Sequence, residues 1–280
     1  MADVSPALSA ASARPLHWPA EDLWQAIAPI WPDFSVEILP EVDSSNSELL
    51  RRARAGRTEP TLLLAEYQSA GRGRQGKSWD SRRGVQPGAT LMFSLGLPYQ
   101  PADWSGLSLA VGLAVAQALH PAIHIKWPND LWVDGRKLVG ILIETTSLPG
   151  RSGPGAARYA VVGIGINIVR RDDTGLSVPP ACVQELLPDL DAPAVLGRVV
   201  PPLVQTLRRF EAEGFEPFRA GFTQRDLLLG RTIRLSDGRE GLGVGIGADG
   251  GLLVQLAGPD GGTGEQISVT SADISVRPVA

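Results

Sequence analysis

The chain has 280 residues, a formal net charge of −4, 43% hydrophobic residues and 20% charged residues. These values are close to those of average globular proteins and predict one large domain, or one domain with a small appendage. The mild acidity argues against a general nucleic-acid binder, which usually has a basic balance. The single cysteine, Cys182, excludes a disulfide scaffold and an all-cysteine metal site.

Neither a membrane span nor a secretory signal is visible in the sequence. The longest apolar run, residues 107–119, is too short to cross a bilayer. Residues 1–14 lack the apolar core of a signal peptide. We therefore expect a cytoplasmic protein without a membrane partner, preceded by a flexible extension over residues 1–19 that is rich in Ala, Ser and Pro.

Both helices and strands are predicted along the chain. Caps and periodicity predict helices over residues 21–27, 45–54 (capped by Asp43 or Ser44), 107–119, 195–213 and 217–224. Strands are predicted over residues 34–39, 61–66, 89–97, 123–126, 131–133, 137–144 and 160–168. Asp134-Gly135 is the strongest hairpin signal. Short Val/Ile/Leu strands from residue 228 onward predict a small β-barrel. We therefore expect an α/β domain over 20–226, with the helices on one side of a mixed sheet, and a barrel over 227–280.

Positive charge is concentrated between residues 51 and 83, which contain nine Lys or Arg residues and only three Asp or Glu residues. For residues 51–57 the simplest interpretation is the solvated face of a helix. The segment Gly71-Arg72-Gly73-Arg74-Gln75-Gly76-Lys77 is different, because its glycines let the backbone approach a ligand closely and its cations suit an anion.

Lysine is rare and its positions are informative. Only three of the 26 cations are lysines, namely Lys77, Lys126 and Lys137. All three lie in segments 71–77 and 126–140, which stand out for other reasons. A chain that otherwise uses arginine has kept lysine where a compact, mobile ammonium suits the chemistry better than a planar fork.

Two glycine patterns resemble nucleotide-binding motifs. Residues 71–78 satisfy the literal Walker A pattern, and a strand is predicted before them. Residues 79–88 contain two glycines and a proline, so the helix that such a phosphate-binding loop requires is not predicted. Residues 163–168 lack the third glycine of the dinucleotide fingerprint and are better interpreted as a strand whose glycines admit a close neighbour.

Four segments carry the strongest signal when they are taken together. They are Asp43-Ser44-Ser45-Asn46; Gln68 with Gly71–Lys77; Lys126-Trp127-Pro128-Asn129-Asp130 with Arg136-Lys137-Leu138-Val139-Gly140; and Gly163-Ile164-Gly165-Ile166-Asn167. In this order and spacing the chain resembles the catalytic core of biotin protein ligases. The resemblance is close over residues 38–144, continues to residue 167 and weakly includes the C-terminal barrel. The joint occurrence of G-R-G-R-x-G and K-W-P-N-D is specific, whereas either glycine pattern alone is weak.

The resemblance implies a fold and an activity. The implied fold is α/β (α+β), a mixed-sheet biotin/ATP-binding catalytic domain of the biotin/lipoate ligase type with a small C-terminal SH3-like β-barrel. The implied reaction joins biotin to ATP, forms biotinyl-5′-adenylate and pyrophosphate, and transfers biotin to a lysine of a biotin carboxyl carrier domain, with Mg²⁺ present. No enzyme nucleophile is needed, which agrees with the lack of partners at motif spacing for His17, His120 and His124.

The resemblance also implies site residues. The expected biotin contacts are Ser44, Ser45, Asn46 and Gln68 around the ureido ring, the closing loop Arg72, Gly73 and Arg74, and also Lys137 and Gly140. The expected ATP contacts are Arg74, Trp79 (over adenine), Lys126, Asn129, Lys137 and Asn167. Arg74, Lys126 and Lys137 are the expected catalytic cations, and Asp130 is the expected Mg²⁺ ligand.

Other interpretations stay open for some of these residues. Trp127 and Trp132 are interpreted as core rather than ligand contacts. Asn129 and Asp130 fit a turn, and Ser44 and Ser45 fit a helix cap. Ser45 stands where the family often has threonine, and this difference keeps the hydroxyl.

Rival functions predict different features. Lipoate ligases and octanoyl transferases share the implied fold but lack the combination of GRGR loop and KWPND segment. A biotin-binding or adenylate-sequestering protein without transfer activity would be favoured if one of the three expected catalytic cations were missing, yet Arg74, Lys126 and Lys137 are all present.

A nucleic-acid-binding module would have aromatic residues interleaved with the cations across residues 51–76, where only Tyr67 occurs. The residues before the first helix are not patterned as a helix-turn-helix, so we expect no DNA partner. The sequence leaves open whether the chain forms a homodimer.

Overall fold

The computed structural model of the chain describes residues 16–79, 87–148, 150, 153, 156–170, 179–258, 262–270 and 276–278. Most of the expected N-terminal extension therefore lies outside the described residues. Five helices occur in this part of the chain: α1 (Ala20–Ile27), α2 (Ser45–Arg54), α3 (Leu107–Leu119), α4 (Ala192–Glu213) and α5 (Glu216–Thr223). No helix in the described ranges is both long and apolar enough to span a membrane.

Seven strands form one mixed sheet. They are β1 (Ser35–Val42), β2 (Thr61–Gln68), β3 (Thr90–Tyr99), β4 (His124–Lys126), β5 (Asp130–Val133), β6 (Arg136–Ser147) and β7 (Arg158–Asn167). They pair in the order β1-β2-β3-β7-β6-β5-β4, and only β1 and β2 run parallel among these pairs. The predicted α/β mixed-sheet fold is confirmed, with β1 longer than the strand predicted over residues 34–39.

Five further strands form a second, antiparallel sheet at the C-terminus. They are β8 (Thr232–Leu235), β9 (Glu240–Ile246), β10 (Leu252–Ala257), β11 (Thr263–Val269) and β12 (Val276–Pro278). Their order is β11-β10-β9-β8-β12, which leaves β11 and β12 at the two edges of the sheet. The predicted all-β C-terminal unit is thus present.

The turn between β5 and β6 follows the predicted hairpin chemistry. Asp134 has φ of 47° and Gly135 has φ of 71°. Both residues occupy the left-handed region that a tight two-residue hairpin turn demands. This turn brings Asp130 opposite Gly140 in the β5–β6 ladder, so the KWPND segment lies beside the following strand.

The expectation that all helices lie on one side of the sheet is wrong. Leu62 and Leu64 of β2 face a core that is shared with α1, α3 and α4. Leu63 points the opposite way and packs with Leu49 and Leu50 of α2. Because successive strand residues alternate between faces, α2 covers the other side of the sheet. The second face is therefore only partly covered, and the candidate site lies there beside α2.

Candidate active site

A cavity lies beside the first turn of α2, over β6 and β7. It brings together residues that are far apart in sequence. The predicted site residues that line it are Ser44, Ser45, Asn46, Gln68, Arg72, Gly73, Arg74, Trp79, Asn129, Lys137 and Gly140. The structure thus gathers the first three of the four sequence segments around one space, together with Gly163 and Gly165 of the fourth.

One side of this cavity is backed by buried polar side chains, which we call the polar wall (Ser44, Ser45, Asn46, Gln68 and Ser94); all but Ser94 line the cavity itself. Ser44 is the N-cap of α2, as one of the sequence interpretations has it, and it also lines the cavity. The backbone N–H of Ser45 donates to Oε1 of Gln68 at 2.7 Å. Nδ2 of Asn46 donates to the carbonyl of Leu142 at 3.1 Å. Cap and ligand wall are therefore compatible roles for the same residues.

Ser94 is a member of the polar wall that the sequence interpretation missed. It lies on β3 with no exposed surface. Its Oγ donates to Oδ1 of Asn46 at 2.6 Å and lies 2.6 Å from Oγ of Ser45. The available signal was a lone serine within the apolar strand β3. A buried hydroxyl needs such partners, so Ser94 fixes the orientation of both side chains.

The opposite side of the cavity is residues 71–79, which we call the loop wall. The N–H of Gly73 donates to the carbonyl of Lys77 at 2.6 Å, and the N–H of Trp79 donates to the carbonyl of Gly71 at 2.8 Å. Gln75 and Gly76 turn the chain with φ of 54° and 71°. A Cβ on Gly71 would lie 2.4 Å from the carbonyl oxygen of Trp79. The glycines are thus needed to close a tight hairpin.

This hairpin does not support the Walker A interpretation. A phosphate-binding loop leads directly into a helix whose N-terminus receives the phosphates. Here residues 74–76 form a single 3₁₀ turn, and the chain continues in extended backbone at Lys77. Residues 80–86 lie outside the described residues. Moreover, the N–H of Gly73 is already bonded within the loop.

Glu144 on β6 connects the two sides of the cavity. Its Oε1 lies 2.9 Å from Nη2 of Arg72, and its Oε2 accepts from Nδ2 of Asn46 at 3.0 Å. One carboxylate therefore contacts both the loop wall and the polar wall. The sequence interpretation gave Glu144 no role, although it is the first acid after the apolar run of β6.

Arg74 reaches the cavity from the loop wall. Its Nη1 donates to Oδ1 of Asn129 at 3.2 Å, and Nδ2 of Asn129 donates to the carbonyl of Ile141 at 2.7 Å. Burial lowers the pKa of Arg74, while the charge of Asp130 acts in the opposite direction. A guanidinium that has lost part of its hydration gains from an anionic ligand, so this position suits a carboxylate or phosphate.

A second cavity adjoins the first and shares Gly73, Arg74, Trp79, Asn129 and Lys137 with it. All three lysines of the chain, Lys77, Lys126 and Lys137, line this second cavity. We call it the lysine cavity. The three lysines that stand out in the sequence therefore lie together in the fold. Three ammonium groups around one cavity favour a ligand with several negative charges.

Two of these ammonium groups are held by neighbours. Nζ of Lys137 lies 2.7 Å from Oδ1 of Asp130. Nζ of Lys126 lies 5.0 Å from the ring centroid of Trp132, at the distance of a cation–π contact. Trp132 is thus a partner of Lys126 as well as a partly buried residue.

The indole of Trp79 lies against two glycines on the floor of the first cavity. A Cβ on Gly165 would be 2.4 Å from the ring, and one on Gly140 would be 2.8 Å from it. Similarly, a Cβ on Gly163 would lie 2.1 Å from Oδ1 of Asn46. The expectation that the glycines of residues 163–168 admit a close neighbour is confirmed. The ring of Trp79 stands on the floor that was expected to receive a face of biotin.

Asn167 and Asp130, two predicted site residues, do not line the first cavity. Asn167 ends β7, is 2% exposed, and its Nδ2 donates to the backbone carbonyl of Lys137 at 3.4 Å. It lies behind Lys137 and is not among the residues lining either cavity. Asp130 lines the lysine cavity, but the described residues contain no cluster of three or more His, Cys, Asp or Glu side chains arranged to hold a metal.

Comparison with known proteins agrees with this geometry. The model of the biotin/lipoate A/B protein ligase family matches residues 39–167. The bifunctional ligase/repressor BirA of Escherichia coli is 34% identical over 233 residues, which cover 80% of this chain and 70% of that protein. The biotin–[acetyl-CoA-carboxylase] ligase of Paracoccus denitrificans is also 34% identical, over 80% of this chain and 95% of its own length. The chain belongs to the biotin protein ligases.

A solved structure supports the same assignment for this ligase. The biotin protein ligase from Aquifex aeolicus, in complex with biotin and ATP, matches with a TM-score of 0.70 and 27% identity. The match covers 87% of this chain and 99% of that one. The chain is therefore a biotin ligase enzyme, and the resemblance drawn from the four sequence segments is confirmed.

Proposed function

We propose that this ligase condenses biotin with ATP to biotinyl-5′-adenylate and then transfers biotin to one lysine of a biotin carboxyl carrier domain. The observation that carries the proposal is the arrangement of two adjoining cavities. One has a polar wall suited to a small uncharged ring, and the other is lined by every lysine of the chain. Arg74 and Lys137 line both cavities and so stand where a carboxylate would meet a phosphate.

In the first step a biotin carboxylate oxygen attacks the α-phosphorus of ATP, and the bond to the β-phosphate breaks to release pyrophosphate. Both reactants are anions, so their approach must be stabilised by fixed positive charge. Arg74 and Lys137 supply that charge at the junction of the cavities, and Lys126 supplies it on the nucleotide side, with Asn129 and Asn167 nearby. Lys137 is held in place by Asp130 on one side and faces Trp79 on the other, 5.6 Å from its ring centroid.

In the second step the amine of the carrier lysine attacks the carbonyl carbon of the mixed anhydride. An amide bond forms, AMP leaves with the electrons of the broken C–O bond, and the amine loses a proton. The activated carboxyl is already an acyl phosphate, so the reaction needs no nucleophile from the enzyme. The role of the ligase in this step is to retain the adenylate, for which Arg72, Gly73 and Arg74 of the loop wall are suitably placed.

The remaining proposed ligand contacts are assigned from where each residue lies around the two cavities. Ser44, Ser45, Asn46 and Gln68 would bind the ureido group of biotin, with Gly140 leaving room for one face of the ring system. Trp79 would leave the glycine floor and cover adenine. Asp130 provides a carboxylate oxygen in the lysine cavity, and Mg²⁺ commonly binds one or two carboxylates together with substrate phosphates. Asp130 would therefore hold Mg²⁺, which supplies further neutralisation of phosphate charge.

Transfer to a carrier tests this proposal. Purified ligase is incubated with ATP, Mg²⁺, biotin and the carrier domain of a biotin-dependent carboxylase, and the carrier is analysed by intact-mass spectrometry. The account predicts one biotin per carrier, and none on a carrier whose acceptor lysine is replaced by arginine. Accumulation of biotinyl-adenylate without transfer would favour an adenylate-holding protein instead.

A further inference from the structure

We propose that Trp127 is a positioning residue through which the C-terminal sheet shapes the lysine cavity. Losing its contact with the turn formed by residues 247–250 should weaken nucleotide binding more than biotin binding. This inference rests on the proposed function, because it takes the lysine cavity to be the nucleotide side of the site.

The contact itself is a hydrogen bond between residues 123 positions apart. Nε1 of Trp127 donates to the carbonyl oxygen of Gly250 at 3.1 Å. Trp127 is 1% exposed, and its neighbours Lys126 and Asn129 line the lysine cavity. An indole N–H in such a buried place needs its partner, so the turn in the C-terminal sheet determines where the indole can lie.

The turn has little freedom to move. Gly250 has φ of 72°, and a Cβ there would lie 2.6 Å from the Cα of Gly106. Gly106 in turn has φ of 79° at the start of α3, and a Cβ on it would lie 2.5 Å from the ring of Phe215. The turn between β9 and β10 is therefore wedged directly against the first turn of α3.

The segment on either side of Trp127 is held by residues 225–227, which follow α5, and by α3. The N–H of Ile125 donates to the carbonyl of Arg225 at 2.7 Å, and the carbonyl of Ile125 accepts from the N–H of Leu227 at 2.9 Å. Oγ of Ser108 on α3 donates to the carbonyl of Pro128 at 2.8 Å. These contacts fix both ends of the bend, and the bond from Trp127 to Gly250 fixes its middle.

The consequence falls mainly on the lysine cavity, which five residues of the segment 126–130 line, whereas Asn129 alone of that segment lines the first cavity. Lys126 and Asp130 pair across β4 and β5, and residues 127–129 form the bend between them. A shift of Trp127 would therefore move the ammonium of Lys126 and the carboxylate of Asp130 relative to each other. The polar wall is built from α2, β2 and β3, so its geometry does not depend on this bend.

The experiment uses two variants of the full chain that break the contact from opposite sides. Trp127→Phe keeps the aromatic ring but removes the N–H donor, and Gly250→Ala displaces the acceptor by steric conflict with Gly106. KM for ATP and for biotin is measured from pyrophosphate release, and the Kd of biotin alone is measured by calorimetry. Trp31→Phe, which changes another buried tryptophan beside α1, is the matched control.

We expect both variants to raise KM for ATP by about five- to tenfold, the size of one buried hydrogen bond, with the Kd of biotin within about twofold of wild type. The double variant should be no worse than the more affected single variant, because both remove the same contact. The control should change neither constant. If Trp127→Phe fails to fold, Gly250→Ala alone decides the outcome.

Two results would overturn the inference. One is an unchanged KM for ATP in a folded variant, and the other is a parallel loss of ATP and biotin binding, which indicates general disruption of the core. Failure of the proposed function would look different, because the wild-type protein itself would then form no biotinyl-adenylate.

Discussion

The polar wall and the loop wall enclose the same cavity but are built in different ways. The five side chains of the polar wall are at most 8% exposed, and Asn46 and Ser94 are joined by a 2.6 Å hydrogen bond inside the core. The loop wall is held across the cavity by Arg72 and Arg74, and Arg72 is 46% exposed even in its ion pair with Glu144. Buried networks are rigid, whereas exposed ion pairs are individually weak. Under the proposed function, recognition of biotin would therefore reside in the core, and closure over the adenylate would fall to the more weakly held loop wall.

Lys137→Ala should have the largest effect on activity, because it removes a charge that both cavities share. Loss of one preorganised stabilising group typically costs about 10²–10³ in rate, so adenylate formation should fall by that factor. Single-turnover formation of biotinyl-AMP measures this. Unchanged formation would remove Lys137 from the proposed role, and Arg136→Ala, which breaks a surface ion pair with Glu185, is the neighbouring control.

Ser94→Ala should disturb the polar wall by removing a buried hydroxyl that bonds to Asn46 and Ser45. It leaves Oδ1 of Asn46 without its hydroxyl donor in a buried place, at a cost of about 1–3 kcal/mol. We expect the Kd of biotin to rise by roughly ten- to a hundredfold, while KM for ATP changes much less. Calorimetric titration with biotin checks this. Equal weakening of both ligands would contradict a wall that is dedicated to biotin.

Glu144→Gln should loosen the loop wall and leave the polar wall in place. The amide can still accept from Asn46, but the ion pair with Arg72 is lost. Because an exposed ion pair contributes about 0–1 kcal/mol, the dissociation rate of biotinyl-adenylate should rise by no more than about fivefold. Stopped-flow displacement measures this rate. Arg72→Ala also removes a side chain proposed to close over the adenylate, so it should raise the rate at least as much. A rise of several hundredfold in Glu144→Gln would mean that the loop is as rigid as the core.

Asp226→Asn changes a buried carboxyl outside both walls, and it should alter stability without altering activity. Burial raises the pKa of Asp226 to about 6, above its ordinary value of 3.8. Because the folded-state pKa is the higher one, ionisation of Asp226 destabilises the native protein as pH rises from about 4 to about 6, and the loss persists above that. The variant should therefore be more stable than wild type by on the order of 1–3 kcal/mol at pH 7.5, with the gain vanishing near pH 4. Urea unfolding at both pH values tests the sign.

The sequence predicted the fold where local chemistry decides it. The helix α3 begins and ends at the expected residues because a largely apolar run ends at His120. The Asp134-Gly135 turn requires left-handed backbone that few other pairs adopt. The position of α2 on the opposite face was not predictable in the same way. It depends on Leu63 pointing away from Leu62 and Leu64 within the apolar run of residues 62–65, where no polar residue marks the two faces of the strand.

The candidate site shows the same division. The three lysines were predicted to matter because lysine is rare in this chain, and all three line one cavity. Such a bias in residue type can be read directly from the composition. Ser94 was missed because its role arises from strand register, which places it opposite Gly163 and beneath Asn46. The position of Trp79 on the glycine floor was missed because it depends on a hairpin whose hydrogen bonds cannot be read from its residue types.

The most direct test of the account is a competition for activation. The protein is incubated with ATP, Mg²⁺ and an equimolar mixture of biotin, lipoate and octanoate, and the products are identified by mass spectrometry. The account predicts biotinyl-AMP and pyrophosphate, with no lipoyl or octanoyl adenylate. Release of inorganic phosphate without any acyl-adenylate, or preferential formation of the lipoyl adenylate, would contradict it.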